Sequence, residues 1–225
     1  MHELNSLLTM LIAKLTGVEL PDYFTMLILV MAGSLVVFGL MTRRLSVDKP
    51  KTGQHILELL VEGINKFQGD IIGHDGSKYI SVCGTFFVMI LLCNLMGFIP
   101  GFMPPTGHII VTLSFGLCAF FAYNAIGVYK QGFGYVKHFL GPMLPLAVLF
   151  LPIEMVSHVA RPMSLGIRLF GNIFGDHMVG SIFTSLVPII IPVPFILLGL
   201  FVSFMQALVF ALLSMIYIAG AVEHH

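Results

Sequence analysis

The sequence predicts an all-α integral membrane protein, with five membrane-crossing helices and one amphipathic helix at the membrane interface. The first reason is composition. The 225-residue chain is 57% hydrophobic and only 10% charged, whereas a soluble domain carries about 25% charged residues. The second reason is that the uncharged residues form long runs, and about 20 apolar residues make one spanning helix. The 11 basic and 11 acidic residues balance, so no net charge favours a nucleic-acid partner.

Three spans are expected in the first part of the chain. Residues 23–42 carry no charged side chain and have the length of one span. The uncharged run 79–129 is too long for one helix, and the prolines from Pro100 to Pro105 divide it in two. The expected elements are an outer N-terminal segment at 1–21 and spans at 23–42, 79–99 and 108–129.

An amphipathic helix is expected between the first two spans, at residues 54–67. Its apolar side chains recur at helical spacing, but its charged residues make it too polar to span the bilayer. Such a helix fits the cytoplasmic interface of a membrane. A small helix packed outside the membrane is the alternative interpretation.

Two long helices are expected in the last third of the chain. The run from Phe139 to Ile218 is mostly apolar, and Pro188, Pro192 and Pro194 interrupt it. We therefore expect helices at 141–187 and 193–222.

The positions of the basic residues orient these helices. Lysine and arginine are concentrated in the 43–78 connection and the 129–138 loop, and they are absent from the 100–108 turn. Because cytoplasmic loops are rich in lysine and arginine, the N-terminus is expected outside and the C-terminus in the cytoplasm.

No cofactor and no metal site are expected. Cys83, Cys93 and Cys118 lie in apolar runs and form no CxxC pair, so we interpret them as small buried hydrophobic residues. The sequence has no glycine-rich phosphate loop of the P-loop kind, so we do not expect nucleotide to bind.

Arg168 is the most informative residue of the chain. It lies in the apolar stretch 164–172, which reads SLGIRLFGN. A guanidinium at the centre of a membrane costs roughly 2.5–3.5 kcal/mol on insertion scales, and it cannot lose its proton to reduce that cost. Charged residues within spans usually mark an ion or substrate pathway.

Arg168 belongs to a stripe of polar residues on the first long helix. On an ideal helix with about 100° per residue, the members of this stripe lie within about 40° of one line. They are Glu154, His158, Arg161, Arg168, Asn172 and Asp176, with Ser157 and Ser164 beside them. Lipid cannot satisfy such groups, so this face is expected to turn toward protein or water.

Two interpretations of the stripe remain open at this point. One is a structural ladder of ion pairs, in which Glu154 pairs with Arg161 or His158 and Arg168 pairs with Asp176. The other is a proton pathway, in which the titratable groups relay protons and the permanently charged Arg168 is a barrier between two half-pathways. Lysine would be a poorer barrier because a desolvated lysine can lose its proton.

Several stretches of the sequence resemble subunit a of the F-type ATP synthase membrane sector. The segment 162–172, PMSLGIRLFGN, resembles the signature of that family. The stretches 94–100 (NLMGFIP), 104–106 (PPT) and 206–210 (QALVF) are similar to the same family. They occur in the family's order, and the resemblance extends from about residue 20 to the end of the sequence.

The resemblance implies a subunit that conducts ions and does no ATP chemistry of its own. Its two long helices would lie tilted against a rotating ring of c subunits. Arg168 matches the family's essential arginine, which attracts each ring carboxylate and blocks direct proton passage. The other matching positions are Gln206 and Asn172 near the arginine, Glu154 in the cytoplasmic half-channel and His177 in the outer half-channel.

The resemblance also implies partners and a location. The partners would be the c-ring, the peripheral-stalk subunit b and, indirectly, the soluble catalytic sector, all in a bacterial inner membrane. The transported ion would be H⁺, with Na⁺ left open.

The sequence departs from the family pattern at two positions. Asp176 precedes His177 where many members of the family have a small residue, and Gly199 stands where some carry a titratable side chain. The hypothesis is that Asp176 supplies the carboxylate that Gly199 cannot.

Two rival functions are weighed against this one. A stand-alone proton-coupled transporter would use Arg168 and Asp176 as its substrate site. An intramembrane enzyme would bind a metal through His158, His177 and Asp176, but their spacing lacks a HExxH-like arrangement.

Overall fold

The chain folds into a bundle of helices. The computed structural model describes residues 21–43, 52–73, 76–99, 102–132, 147–186 and 192–222. The α-helices are α1 (Asp22–Thr42), α2 (Thr52–Ile72), α3 (Ile80–Leu95), α4 (Ile109–Gln131), α5 (Ala147–Leu186) and α6 (Pro192–Val222). Short 3₁₀ turns lie at Gly76–Tyr79, Met96–Phe98 and Pro105–Gly107. Within these ranges there is no β-strand, so the predicted all-helical architecture is confirmed there.

Four segments are long and apolar enough to cross a membrane. They are Asp22–Thr42, Gly76–Phe98, Ile109–Gln131 and Val193–Val222. The 40-residue α5 is not one of them, because polar and charged side chains lower its hydropathy. The fifth crossing and the interfacial position of α2 therefore stay predictions. Three parts of the prediction lie outside the described residues. They are the expected segment at 1–20, the two ends of the 141–187 helix (141–146 and 187) and the tail at 223–225.

The core of the bundle forms where α4 packs on α5 and α3 packs on α6. Leu169 of α5, Ile90 of α3 and Phe210 of α6 are fully buried in one cluster. Helix α1 joins the bundle through a smaller cluster, in which Met26 packs with Cys93 of α3. This arrangement places α5 and α6 side by side, with one face of each available outside the core.

One prediction about the cysteines is wrong. Cys83 and Cys93 are buried as expected, but Cys118 is exposed on α4. An apolar run does not distinguish a side chain that packs inside a bundle from one that faces lipid, because both surroundings are apolar.

Helices α4 and α5 approach each other closely at two glycines. A Cβ atom on Gly116 would collide with the carbonyl oxygen of Pro162. A Cβ on Gly166 would lie 2.9 Å from the Cα of Leu113. Small residues at such contacts let two helix backbones touch, which favours association within a membrane. The contact at Gly166 lies two residues from Arg168 and therefore fixes this part of α5.

We predict that Gly116→Ala destabilises the fold. The new methyl group meets backbone rather than a flexible side chain, so α4 and α5 must separate, at a cost of about 1–3 kcal/mol. The measurement is the free energy of unfolding of the purified protein in mild detergent, from titration with a denaturing detergent. Gly33→Ala is the matched control, because a Cβ on Gly33 meets nothing within 4 Å. Equal stability of the two variants would contradict the prediction.

Candidate functional site

Arg168 lies near the middle of α5 with its side chain exposed. The neighbouring Leu165 and Leu169 are buried, at 2% and 0% exposure, so they anchor this turn of the helix in the core. Arg168 makes no hydrogen bond, ion pair or ring contact with any residue that the structure describes. The Arg168–Asp176 pair of the ladder interpretation is therefore not formed, and no described carboxylate neutralises this guanidinium.

One turn along α5, Asn172 connects this helix to α6. The amide Nδ2 of Asn172 donates a hydrogen bond of 2.6 Å to Oε1 of Gln206. Gln206 is 5% exposed, whereas Asn172 is on the exposed side of α5. The structure thus brings together two predicted site residues that are 34 positions apart. Gln206 is hydrogen-bonded to Asn172, and no hydrogen bond joins Gln206 to Arg168.

The first part of α5 carries the other half of the predicted ladder. Nη2 of Arg161 lies 3.3 Å from Oε1 of Glu154, and both side chains are about one-third exposed. The guanidinium of Arg161 also lies over the ring of Tyr217 on α6, at 5.5 Å from its centroid. A partly exposed ion pair contributes little to stability, and Glu154 stays about one-third exposed beside Arg161.

His158 is buried between α4 and α5. Its Nε2 lies 2.9 Å from Oδ1 of Asn124, and its ring meets the rings of Phe120 and Tyr123 at 4.9 and 5.6 Å. Asn124 donates its Nδ2 to the carbonyl of Phe120, so its oxygen faces His158 and requires a proton on Nε2. His158 therefore joins two helices, whereas Ser164 of the predicted stripe is exposed.

Asp176 and His177 point to different neighbours. A Cβ on Gly199 of α6 would collide with Oδ2 of Asp176, and it would lie 3.1 Å from Cε1 of Phe98. A Cβ on Gly97, in the turn after α3, would lie 2.7 Å from Nε2 of His177. The carboxylate of Asp176 thus occupies the space beside Gly199, and the hypothesis that it replaces a carboxylate at position 199 stays a prediction.

Two polar neighbours of the predicted site residues were missed in the sequence. Asn124 is a polar residue within the apolar span 108–129, and polar residues at membrane depth usually have partners. Ser203, which lies on the same face of α6 as Gly199 and Gln206, was also missed, although its spacing of four and three residues from them is helical.

No metal centre is formed by the described side chains. In the described ranges there is no group of three histidine, cysteine or acidic residues that could hold a metal ion. His158 and His177 have separate neighbours, Asn124 and Gly97. This separation disfavours the metalloenzyme alternative.

Comparison with known proteins identifies related sequences over most of the chain. A family profile described as "ATP synthase A chain" matches residues 24–219. "ATP synthase subunit a" of Solibacter usitatus is 45% identical over 204 residues, which are 90% of this chain and 88% of that protein. "ATP synthase subunit a 1" of Syntrophotalea carbinolica is 42% identical over 82% of this chain and 78% of that protein. "ATP synthase subunit a" of Trichlorobacter lovleyi is 41% identical over 84% of this chain and 82% of that protein.

We predict that Asn172 and Gln206 contribute to stability as a pair. Asn172→Leu or Gln206→Leu leaves the other amide without its partner, whereas the double variant removes both. The coupling energy in a double-mutant cycle should be about 1 kcal/mol, measured from unfolding in mixed detergent micelles. Gln54→Leu on α2, combined with Asn172→Leu, is the control and should be additive. Additive effects for Asn172 and Gln206 as well would mean that their contact contributes nothing.

Proposed function

Because the chain belongs to the ATP synthase subunit a family, we propose that it is the stator subunit that gives ions access to the c-ring. Family membership places it in the membrane sector of ATP synthase. In the proposal, two offset half-channels lead to the ring carboxylates, so that an ion crosses only by travelling with the rotor. Ion flow then drives rotation, and partner subunits make ATP.

The observation that carries the proposal is the environment of Arg168. Its guanidinium is exposed halfway along α5 and has no partner among the described residues. An unneutralised charge at membrane depth is costly, so a carboxylate presented by another subunit would be strongly attracted to it. Each c-ring carboxylate that passes would lose its proton near Arg168 and regain one beyond it.

The two half-channels are proposed on either side of Arg168. At about 1.5 Å of rise per residue, Glu154 lies about 21 Å from Arg168 along α5 and Asp176 about 12 Å in the other direction. Glu154 and Asp176 are thus about 33 Å apart, which matches a hydrocarbon core of about 30 Å. We assign Glu154 to the cytoplasmic half-channel, and Asp176 with His177 to the outer one.

The remaining site residues have supporting roles in the proposal. Asn172 and Gln206 hold α5 and α6 together beside Arg168. His158 lies between Glu154 and Arg168 in sequence, and Ser164 is exposed one turn from Arg168. We place both along the cytoplasmic half-channel.

The proposed topology follows from the basic residues and the helices. Five helices cross a bacterial inner membrane, α2 lies along its cytoplasmic face, and the N-terminus is outside. The partners are the c-ring, the peripheral-stalk subunit b and, through them, the soluble catalytic sector. A proton that crosses this membrane releases about 2.3 kcal/mol per 100 mV, which the rotor transmits as torque.

We predict that Arg168→Ala abolishes proton-coupled ATP synthesis. The variant lacks both the attraction for the ring carboxylate and the barrier to direct proton passage, so synthesis should fall to the level of membranes without the complex. ATP hydrolysis by the detached soluble sector should be unchanged. Arg43→Ala, at the exposed end of α1, is the control and should retain synthesis. Coupled synthesis in the Arg168 variant would refute the assigned role.

We predict that Asp176→Asn impairs ATP-driven proton pumping by roughly tenfold or more, because a positioned proton carrier is lost. The amide has the same shape and still fits beside Gly199. His177→Ala tests the neighbouring group in the same assay, which is quenching of a pH-sensitive dye by inverted membrane vesicles. Asp70→Asn, on the exposed part of α2, controls for loss of a carboxylate. Normal pumping in both the Asp176 and His177 variants would remove them from the pathway.

A further inference from the structure

Asn94, at the end of α3, connects three parts of the fold. Its side-chain Oδ1 accepts a hydrogen bond of 2.8 Å from Oγ1 of Thr106. Its Nδ2 donates a bond of 3.3 Å to the backbone carbonyl of Ser203 on α6. Asn94, Thr106 and Ser203 are 1%, 0% and 1% exposed. Lipid and bulk water are therefore both excluded from this cluster.

The chemistry of the three groups allows one orientation of the Asn94 amide. A backbone carbonyl only accepts hydrogen bonds, so the amide nitrogen must face Ser203. The amide oxygen then faces Thr106, whose hydroxyl can donate to it. The reverse orientation would place two oxygens against each other at Ser203. The Ser203 carbonyl thus selects the orientation of the amide, and the Thr106 hydroxyl satisfies the amide oxygen in that orientation.

Thr106 is itself held by a stiff segment. It lies in the 3₁₀ turn Pro105–Gly107, directly after Pro104 and Pro105, which are both buried. Proline fixes its own φ angle, so the two prolines restrict the backbone on which the hydroxyl is carried. Asn94 and Thr106, which belong to two of the stretches that resemble the subunit a family, therefore meet in one hydrogen bond.

The bond from Asn94 reaches α6 between its two contacts with the site on α5. Gly199, Ser203 and Gln206 lie on one face of α6, and Ser203 is in the middle. Gly199 faces the carboxylate of Asp176, and Gln206 accepts from Asn172. A shift of α6 along its axis would change both contacts at once. The Ser203 carbonyl is thus a point at which the register of α6 against α5 can be fixed.

We propose that Asn94 and Thr106 are positioning residues that fix the register of α6 against the ion pathway on α5. They touch neither the ion nor Arg168. They hold Gly199 opposite Asp176 and Gln206 opposite Asn172. The effect on transport rests on the proposed function, whereas the effect on register does not.

The register is measured by cross-linking in the assembled ATP synthase. The pair Asp176→Cys and Gly199→Cys is introduced after Cys83, Cys93 and Cys118 have been replaced by alanine. Because a Cβ on Gly199 would touch the Asp176 side chain, the two introduced thiols are close enough to form a disulfide under mild oxidation. The rate of that reaction reports the position of α6.

Thr106→Val and Asn94→Leu are the test variants. Each keeps approximately the original shape and removes the hydrogen bond, and Thr106→Val leaves the amide oxygen of Asn94 buried without its donor. Because an unpaired buried group is costly, α6 should shift, and cross-linking should slow by roughly fivefold or more. Thr106→Ser keeps the hydroxyl and should restore the rate.

Thr85→Val is the matched control for the loss of a threonine hydroxyl. The Thr85 hydroxyl bonds the carbonyl of Ser81 within its own helix and is exposed, so this variant should cross-link at the original rate. Rates are compared at equal amounts of assembled complex, determined by immunoblot. Thr106→Val is the milder change, and it alone is used as the test variant if Asn94→Leu assembles poorly. An unchanged rate in Thr106→Val would overturn the positioning role.

A second measurement tests the consequence for transport without the introduced cysteines. Thr106→Val should lower the ratio of protons pumped to ATP hydrolysed, and Thr106→Ser should restore that ratio. Slower cross-linking with an unchanged ratio would overturn the positioning of the pathway. Failure of the proposed function would be seen separately, as retained coupling in Arg168→Ala with cross-linking rates as expected here.

Discussion

A permanently charged guanidinium exposed halfway along the 40-residue α5 is the main physical constraint on this protein. Arg168 cannot lose its proton, and no described side chain neutralises it. The buried Leu165 and Leu169 fix the helix so that this charge faces away from the core. In the proposed topology this face of α5 is a cationic surface at membrane depth, which is stable only beside an anionic partner or water.

Glycine positions decide how closely the helices around this charge approach. Gly116 and Gly166 bring the backbones of α4 and α5 into contact, and Gly199 leaves room on α6 for the carboxylate of Asp176. Within a membrane, apolar side chains gain little by leaving lipid, so close packing and interhelical hydrogen bonds hold the helices together. The Asn172–Gln206 bond is one such contact, and it lies one turn from Arg168.

Much of the candidate site was predictable, but its pairing was not. Helical spacing placed Glu154, Arg161, Arg168 and Asp176 on one face of α5, and two ion pairs were then geometrically open. Only the pair between Glu154 and Arg161 is formed. The carboxylate of Asp176 lies beside Gly199 instead. Residues that share a helix face compete with partners on other helices, and a one-dimensional pattern does not show those partners.

The amino-acid order alone was enough to identify the apolar helices, the amphipathic α2 and the unusual charge at Arg168. These features depend on composition and on spacing within one helix. The partners of Asn94, His158 and Asp176 were decided only when the helices packed. Asn94 and Ser203, for example, are 109 positions apart. A hydrogen bond acts over about 3 Å, so such contacts exist only after folding has brought distant helices together.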